Sequence, residues 1–401
     1  ENEMIKYMKH NIKNNFDVTV VGCGPAGAQV AKKISEAGKS VLVLDHRREI
    51  GDKLCTGIVG SELYNHYPEV KKFIYSEANS AKIFNNSEHI IDIKKDETQA
   101  LIIDRVKFIQ SIINNAKKSG AILKKQRLVT SSEIGEEYVK VSAKFGSKEE
   151  IYYSKLLIIA SGFNSKFAKS LGFNLSKNYI YGYQTKISNL NLDEVNVFTG
   201  STLPKGHFGW LVPTTKNEGL CGILGKAKLK NNGKAFLIEM QKKYNFEIKE
   251  KTKVWGIPVK PVNKNYSRRC LLIGDVAGQV KPTTGGGIYY AMRSSDIASE
   301  IVINCLENER FSSKDLSLYS KKWEQLFKNE LRIGLFARQF YESLDDKDIV
   351  KILEHIKESE LISSDINFDW HSKIIMMAFK TKIKSFLKGS LISKFKKLGF
   401  N

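Results

Sequence analysis

The chain has 401 residues, of which 42% are hydrophobic and 10% aromatic, so it is too long for a single small binding module and too apolar to be disordered as a whole. Lys and Arg number 64 against 43 Asp and Glu, a net charge of +21. That excess favours phosphates, anionic lipid headgroups or nucleic acid without choosing among them. Lys and Asn are abundant throughout, so much of the basic excess reads as plain composition. The five cysteines (Cys23, Cys55, Cys221, Cys270, Cys305) form no CxxC pair and have no His at ligand spacing. This argues against zinc, iron–sulfur and a disulfide framework, so no metal site is expected and a reducing cytosol fits best. The opening residues ENEMIKYMKHNIKNNF lack the apolar stretch of a leader. Nowhere do about 18 apolar residues follow one another without charge, so no membrane-spanning helix is expected.

Residues 17–21 form a β-branched run that ends in GCGPAG and continues as AQVAKKISEAG, with alanines and aliphatics at helical spacing. This reads as strand, tight turn, helix. Gly22 allows the turn, Gly24 lets a diphosphate approach the backbone, and Gly27 lets helix and strand pack closely, while Pro25 and Ala26 open the helix whose N-terminus is an anion site. A lone GxGxxG could equally be a packing turn. Here a strand precedes it, and SVLVLD follows as a second buried strand whose Asp45 lies 23 residues after Gly22, placed to accept ribose hydroxyls. The unit therefore reads as a dinucleotide site, which leaves FAD and NAD(P) both open because each buries an ADP half in such a crevice.

Further along, IIDRVKFIQSIINNAKKSGA carries Arg105 at the start of a helix, where a solvated helix-start cation is the bland reading. YYSKLLIIASGFNS is a buried strand ending in Ala160-Ser161-Gly162, with Gly162 either a plain turn or a close backbone approach. From about Lys166 to Val262 the chain reads as strands rather than helices (YIYGYQTKI, NVFTG, FGWLVPTT, LCGILG), which predicts an inserted antiparallel sheet. Then RRCLLIGDVAGQVKPTTGGGIYYAMRSSDIASEIV gives a buried strand ending in Gly274-Asp275, a loop, and a glycine cluster opening a long helix.

The glycine turn and this Gly-Asp strand together resemble the FAD-dependent para-hydroxybenzoate hydroxylase superfamily. The resemblance implies that Asp275 meets the flavin ribitol and that Gly285, Gly286, Gly287 and Ile288 present free amides at a helix N-terminus to the flavin N1/C2 carbonyl, which becomes anionic on reduction. It also implies that Arg105 lies near the FAD phosphates or ribose and that Gly162 approaches the cofactor. No second GxGxxG with a following carboxylate occurs, so the reductant, whether NAD(P)H, ferredoxin or another donor, is expected to dock transiently.

The loop HRREIGDKLCTGIVG after Asp45 resembles the geranylgeranyl reductase family, which implies that Cys55 lies by the flavin ring and bears on catalysis; taken alone it would be a small buried hydrophobe. FGWLVP resembles that family's YxWxFP segment and implies substrate contacts at Phe208, Trp210 and Pro213. The sequence departs with Phe208 for Tyr and Val212 for Phe, which removes a hydroxyl and keeps an apolar wall. Without the resemblance Trp210 would be sheet core. KVWGIPVKPV and the later helix around Tyr319 and Trp323 also match, so the likeness runs from Asp17 to about Phe340.

The expected fold class is therefore α/β: a Rossmann-like FAD-binding domain with an inserted antiparallel β-sheet substrate domain and a helical C-terminal region. The expected partition is an extension at 1–16, FAD-binding parts at 17–165 and 263–310, the substrate sheet at 166–262, and a helical region at 311–401. From Ile374 the tail places Ile375, Phe379, Ile383, Phe386, Leu387, Leu391, Phe395 and Leu398 at spacings of three and four among lysines, a basic amphipathic pattern suited to an anionic membrane surface or to packing on the protein itself. The expected activity is FAD-dependent hydrogenation of C=C bonds in geranylgeranyl chains of archaeal-type ether lipids or prenyl diphosphates, in the cytoplasm and peripheral to a membrane. The rivals are a flavin monooxygenase or halogenase, and an electron-transfer flavoprotein feeding a membrane quinone. No nucleic-acid module is recognised, and none is expected as a partner.

Overall fold

The computed structural model describes residues 14–51, 55–86, 88–163, 165–200, 203–226, 229–358, 368–372 and 375–376. Of the basic tail only Ile375 and Met376 fall within them, so its expected helix, like most of the expected N-terminal extension, lies outside the described residues.

The runs read as buried strands carry apolar residues on both faces because both faces of their sheet are covered. Val41–Asp45, Asn15–Val21, Lys148–Ile159 and Cys270–Leu272 lie side by side and parallel, with Val18 opposite both Val41 and Leu156 and Leu157 opposite Cys270. Ile122–Lys125 adds a further parallel strand at one edge. Alternate residues part to opposite sides. Val18, Val20, Val41 and Val43 meet the helices Pro25–Glu36, Arg105–Lys118 and Ile288–Glu307. Leu42, Leu44, Leu157 and Ile159 meet the antiparallel strands Leu128–Ile134 and Val139–Phe145 and the short helix Lys166–Ser170.

The inserted antiparallel sheet is present, in the order Glu247–Ile248, Tyr179–Ser188, Glu218–Gly225, Phe208–Thr215, Val195–Thr199, with Lys253–Pro258 also paired to Tyr179–Ser188. Two departures from the expected organisation stand out. Ser80–Asn85 pairs parallel with Val195–Thr199 and Glu88–Lys94 continues beyond it, so residues from inside the 17–165 interval complete the second sheet. And Leu229–Tyr244 is a helix, within a region read as strands. Its Lys, Asn and Gly residues dilute the period, but Phe236, Leu237 and Met240 form a stripe that packs on Ile187, Leu211 and Ile223 of the sheet.

The other face of that sheet carries Ile180, Trp210, Val212, Leu224 and Ile257 and packs against Val280 and Ile102 of the first unit. Between the two sheets sits a small antiparallel one, Ile58–Gly60, Ala100–Ile103 and Ile74–Ala78. The C-terminal part begins with the 31-residue helix Ser313–Ser343, started by a capping box in which Ser312 and Asp315 each bond the other's backbone N–H. Helix Asp346–Glu358 follows it.

Candidate functional site

Three parallel strands end together. The Ala160 N–H donates to Val21 O at 2.8 Å and the Ile273 N–H to Ile159 O at 3.0 Å, which brings the three turns singled out in the sequence side by side. Gly22 has φ +100°, and a Cβ there would lie 2.4 Å from the Ala160 carbonyl oxygen, so only glycine fits where the first turn crosses the second. Gly27 has the packing role expected of it, since a Cβ would lie 1.9 Å from Gly22 O.

These turns open into a cavity of about 610 Å³. Of the residues assigned to a cofactor from the sequence, Gly22, Gly24, Pro25, Ala26, Asp45, Arg105, Gly162, Asp275, Gly285, Gly287 and Ile288 line it, and so does Cys55. Gly27 and Gly286 do not: Gly27 faces the strand, and a Cβ at Gly286 would lie 2.8 Å from Lys281 Cε, on the loop's rear side.

The charge distribution suits an anionic, elongated ligand. Helix Pro25–Glu36 starts at Gly24 with no side-chain cap and no acidic residue in its first turn, and helix Ile288–Glu307 starts at Gly287 in the same state. Their uncapped N–H groups leave two positive helix ends at one cavity. Asp45, 3% exposed, accepts the Cys23 N–H at 2.7 Å on one oxygen and the Arg47 N–H at 2.8 Å on the other. A carboxylate keeps further lone pairs after two such bonds, so Asp45 retains capacity for ribose hydroxyls. Arg105, 8% exposed, begins its helix after the Asp104 cap and donates to Gly51 O at 2.6 Å, which anchors the loop leading to Cys55. Asp275 lies against the second helix start: a Cβ at Gly287 would be 3.1 Å from its Oδ1.

The turn at Gly274 is braced from below. Its N–H donates to Gln279 Oε1 at 2.7 Å, and Gln279 Nε2 donates to the Tyr319 hydroxyl at 2.7 Å. Trp323 Nε1 donates to Ser294 Oγ at 2.8 Å. The two aromatic residues noted in the late helix thus support the site without touching the cavity.

Cys55 differs from the other four cysteines, all buried. Burial pushes the Cys23, Cys221 and Cys270 thiols far up and the Cys305 thiol up to about 11. Cys55 is half-buried, and its Sγ accepts the Gly57 N–H at 3.4 Å.

Phe208, Trp210 and Pro213 do not line this cavity. Trp210 is buried, donates from Nε1 to Gln184 Oε1 at 3.1 Å, and packs over Gly222. It shares an apolar cluster with Phe208 and with Ile257, and Ile257 does reach the cavity. Pro213 lines a separate cavity of about 220 Å³. The aromatic residue of the second sheet that faces the main cavity is Trp255, in the segment KVWGIPV, seated on Gly182. Its strand was noted in the sequence, but nothing local distinguishes Trp255 from Trp210; only the edge position of Lys253–Pro258 does. Arg47, Arg127, Thr130 and Phe167 also line the cavity and were missed: Arg47 stood in the loop quoted for Cys55 but carried no signal of its own, and the other three come from segments with no motif.

Comparison with known proteins follows the same lines. The family described as pyridine nucleotide-disulphide oxidoreductase matches residues 16–197. The digeranylgeranylglycerophospholipid reductase of Methanocaldococcus jannaschii is 27% identical over 86% of this chain and 91% of its own. Among solved structures, a geranylgeranyl bacteriochlorophyll reductase-like protein from Thermoplasma acidophilum superposes with a TM-score of 0.83 at 20% identity, over 96% of this chain and 99% of its own. The flavin-dependent brominase Bmp2 reaches a TM-score of 0.67 at 14% identity, over 92% of this chain and the whole of its own. The resemblance to geranylgeranyl reductases thus extends along nearly the whole chain in sequence and in fold, while the brominase shares the fold.

Proposed function

We propose that the chain is an FAD-dependent reductase that hydrogenates carbon–carbon double bonds of geranylgeranyl chains, carried either on an archaeal-type ether lipid or on a prenyl diphosphate. The observation that carries this reading is the convergence of two uncapped helix starts, Asp45 and the one accessible thiol on a single cavity. The similarity to a digeranylgeranylglycerophospholipid reductase supports the choice of substrate.

Bound there, FAD would supply the two-electron reducing chemistry that saturation of an alkene needs. The N–H groups of Gly24 and Ala26 would receive the diphosphate, Pro25 between them having none to give, and Asp45 would orient the ribose by accepting its hydroxyls. Asp275 and the N–H groups of Gly287 and Ile288 would hold the other end of the molecule; those of Gly285 and Gly286, expected to be free, are bonded within the loop, to Lys281 O at 2.8 Å and to Thr284 Oγ1 at 3.4 Å. An unactivated alkene also needs a proton delivered to one carbon, which calls for a positioned acid at the cavity. Cys55 is that group, its thiol fixed by the Gly57 N–H. Trp255, Ile257 and the apolar cluster behind them form a dry wall for an isoprenoid chain. The cavity accounts for one dinucleotide, so reducing equivalents come from a donor that docks transiently, NAD(P)H or a redox protein. A lipid substrate also gives the basic tail, most of which lies outside the described residues, a role at an anionic membrane surface. Salt-sensitive sedimentation with anionic vesicles, lost on cutting before Ile374, tests that role.

The test of the reaction is anaerobic turnover of the dithionite-reduced protein with a digeranylgeranyl ether lipid, followed by mass spectrometry. Mass gains in steps of two hydrogens are expected. A monooxygenase or halogenase would leave the lipid unchanged without oxygen, and that result would overturn the assignment.

A further inference from the structure

The loop from Lys281 to Gly287 forms one wall of the cavity and is held from behind by chain distant in sequence. Gly334 of helix Ser313–Ser343 packs on Pro282, where a Cβ would lie 3.2 Å from the ring. Buried Arg338 donates to the Thr283 carbonyl at 3.4 Å and to the Gly206 carbonyl at 3.3 Å. The segment 368–372 supplies the rest. Lys281 Nζ donates to Phe368 O at 2.6 Å and lies 3.4 Å from Asp369 Oδ1, and Thr283 Oγ1 shares a hydrogen bond of 2.7 Å with His371 Nδ1. The segment is itself seated firmly: the Glu330 carboxylate accepts the His371 N–H at 2.6 Å and the Ser372 N–H at 3.0 Å, and Trp370 stacks on Phe327 with ring centroids 5.5 Å apart.

Asp369 also reaches the segment that follows Cys55, itself a cavity-lining residue. The Gly60 N–H donates to the same Oδ1 at 3.4 Å, and Gly60 ends the strand Ile58–Gly60 that follows Cys55. A Cβ at Gly60 would lie 2.3 Å from Asp369 Oδ2, so the approach leaves room for no side chain. Lys281 and Asp369 are 3% and 1% exposed. A buried ion pair is a poor device for stability alone, because apolar residues of similar volume often serve as well or better. What it supplies here is a directional tie between two loops.

We propose that Asp369 is a positioning residue of the cofactor cavity: by joining the glycine loop, through Lys281, to the Cys55 strand, through Gly60, it sets the spacing of the two walls. The proposal rests on the reading that the cavity holds FAD. Because Cys55 is the accessible cysteine among five, the rate of its alkylation by iodoacetamide reports on its wall directly.

The experiment compares the full-length protein with Asp369→Asn and with the double variant Lys281→Met/Asp369→Leu. The double variant leaves no lone buried charge and so keeps the fold if the single one does not. Both are expected to bind FAD at least fivefold more weakly, and their Cys55 to react at least fivefold faster in FAD-saturated protein. Variants that lose only thermal midpoint, with unchanged FAD affinity and unchanged Cys55 labelling, would show a purely structural pair and overturn the proposal. Failure of the unsubstituted protein to bind FAD would overturn the flavin reading and this inference with it, and is told apart because it needs no variant.

Discussion

Two alanine substitutions in the first glycine turn separate the fold from the site. At Gly24 a Cβ would meet no heavy atom within 4 Å, and φ −81° with ψ −169° is open to any residue. Gly24→Ala should therefore leave the stability of the cofactor-free protein within about 1 kcal/mol, a small loss at the N-cap set against a stiffer unfolded chain. The same methyl stands in the open space where a diphosphate would meet the helix amides. Loss of one hydrogen bond to a charged group costs about 1.5–3 kcal/mol, or roughly 10- to 150-fold in the FAD Kd. At Gly27 the obstacle is backbone: Gly22 O at 1.9 Å, with the Ala160 methyl at 3.4 Å. Gly27→Ala should cost about 1–3 kcal/mol and lower Tm by several degrees before any ligand is added. Thermal unfolding of the cofactor-free protein and titration by quenching of FAD fluorescence measure the two effects separately. Full FAD affinity in Gly24→Ala, or a loss of Tm there equal to that of Gly27→Ala, would refute the division.

Arg105→Lys keeps the charge but cannot reproduce the guanidinium fork that holds Gly51 O, so FAD affinity should fall by about 1–3 kcal/mol by isothermal titration; no change would remove Arg105 from the site. Cys55→Ala should bind FAD within about twofold of the unsubstituted protein, on the scale of a surface change, yet yield no hydrogenated prenyl product; retained turnover would exclude the thiol as proton donor. Burial, reinforced by the Lys281 ammonium, holds His371 down at about 3. In the unfolded chain the imidazole titrates at its ordinary value near 6.5, so acid draws protons to the unfolded state. The stability His371 contributes is complete above about pH 6.5 and is lost as pH falls toward 3, with a slope of at most about 1.4 kcal/mol per pH unit. Tm measured against pH should fall more steeply for the unsubstituted protein than for His371→Gln, and parallel curves would contradict the assignment.

What could be read in the sequence was whatever sterics or periodicity states locally. Gly22, Gly27 and the buried run ending at Asp45 follow from backbone crowding that only glycine relieves and from burial on both faces; the structure brings Gly22, Asp45 and Asp275 to one cavity with Gly27 packed behind them, but the late strand stops at Leu272 and Asp275 lies in a short helical turn after it. The strands of the second sheet were legible from their turns. Ser80–Asn85 was not, because its partner Val195–Thr199 lies more than a hundred residues away and pairing leaves no local trace. Trp210 and Trp255 illustrate the same limit at the site: both are sheet tryptophans, and only the packing of the sheet decides that the first meets Gln184 and the second the cavity. Lys281 stood within a recognised motif, but its partner Asp369 sits 88 residues later in a stretch without periodicity. A lysine inside a glycine-rich, otherwise uncharged loop was the one available hint that a carboxylate had to be buried beside it.

The most direct test of the account is the flavin content of the purified protein after reconstitution with FAD, read from its visible absorption spectrum and from FAD released on denaturation. The account predicts a yellow protein with one FAD per chain, and none in a variant whose Gly24 and Asp45 are both replaced. A colourless protein that retains no flavin would contradict it.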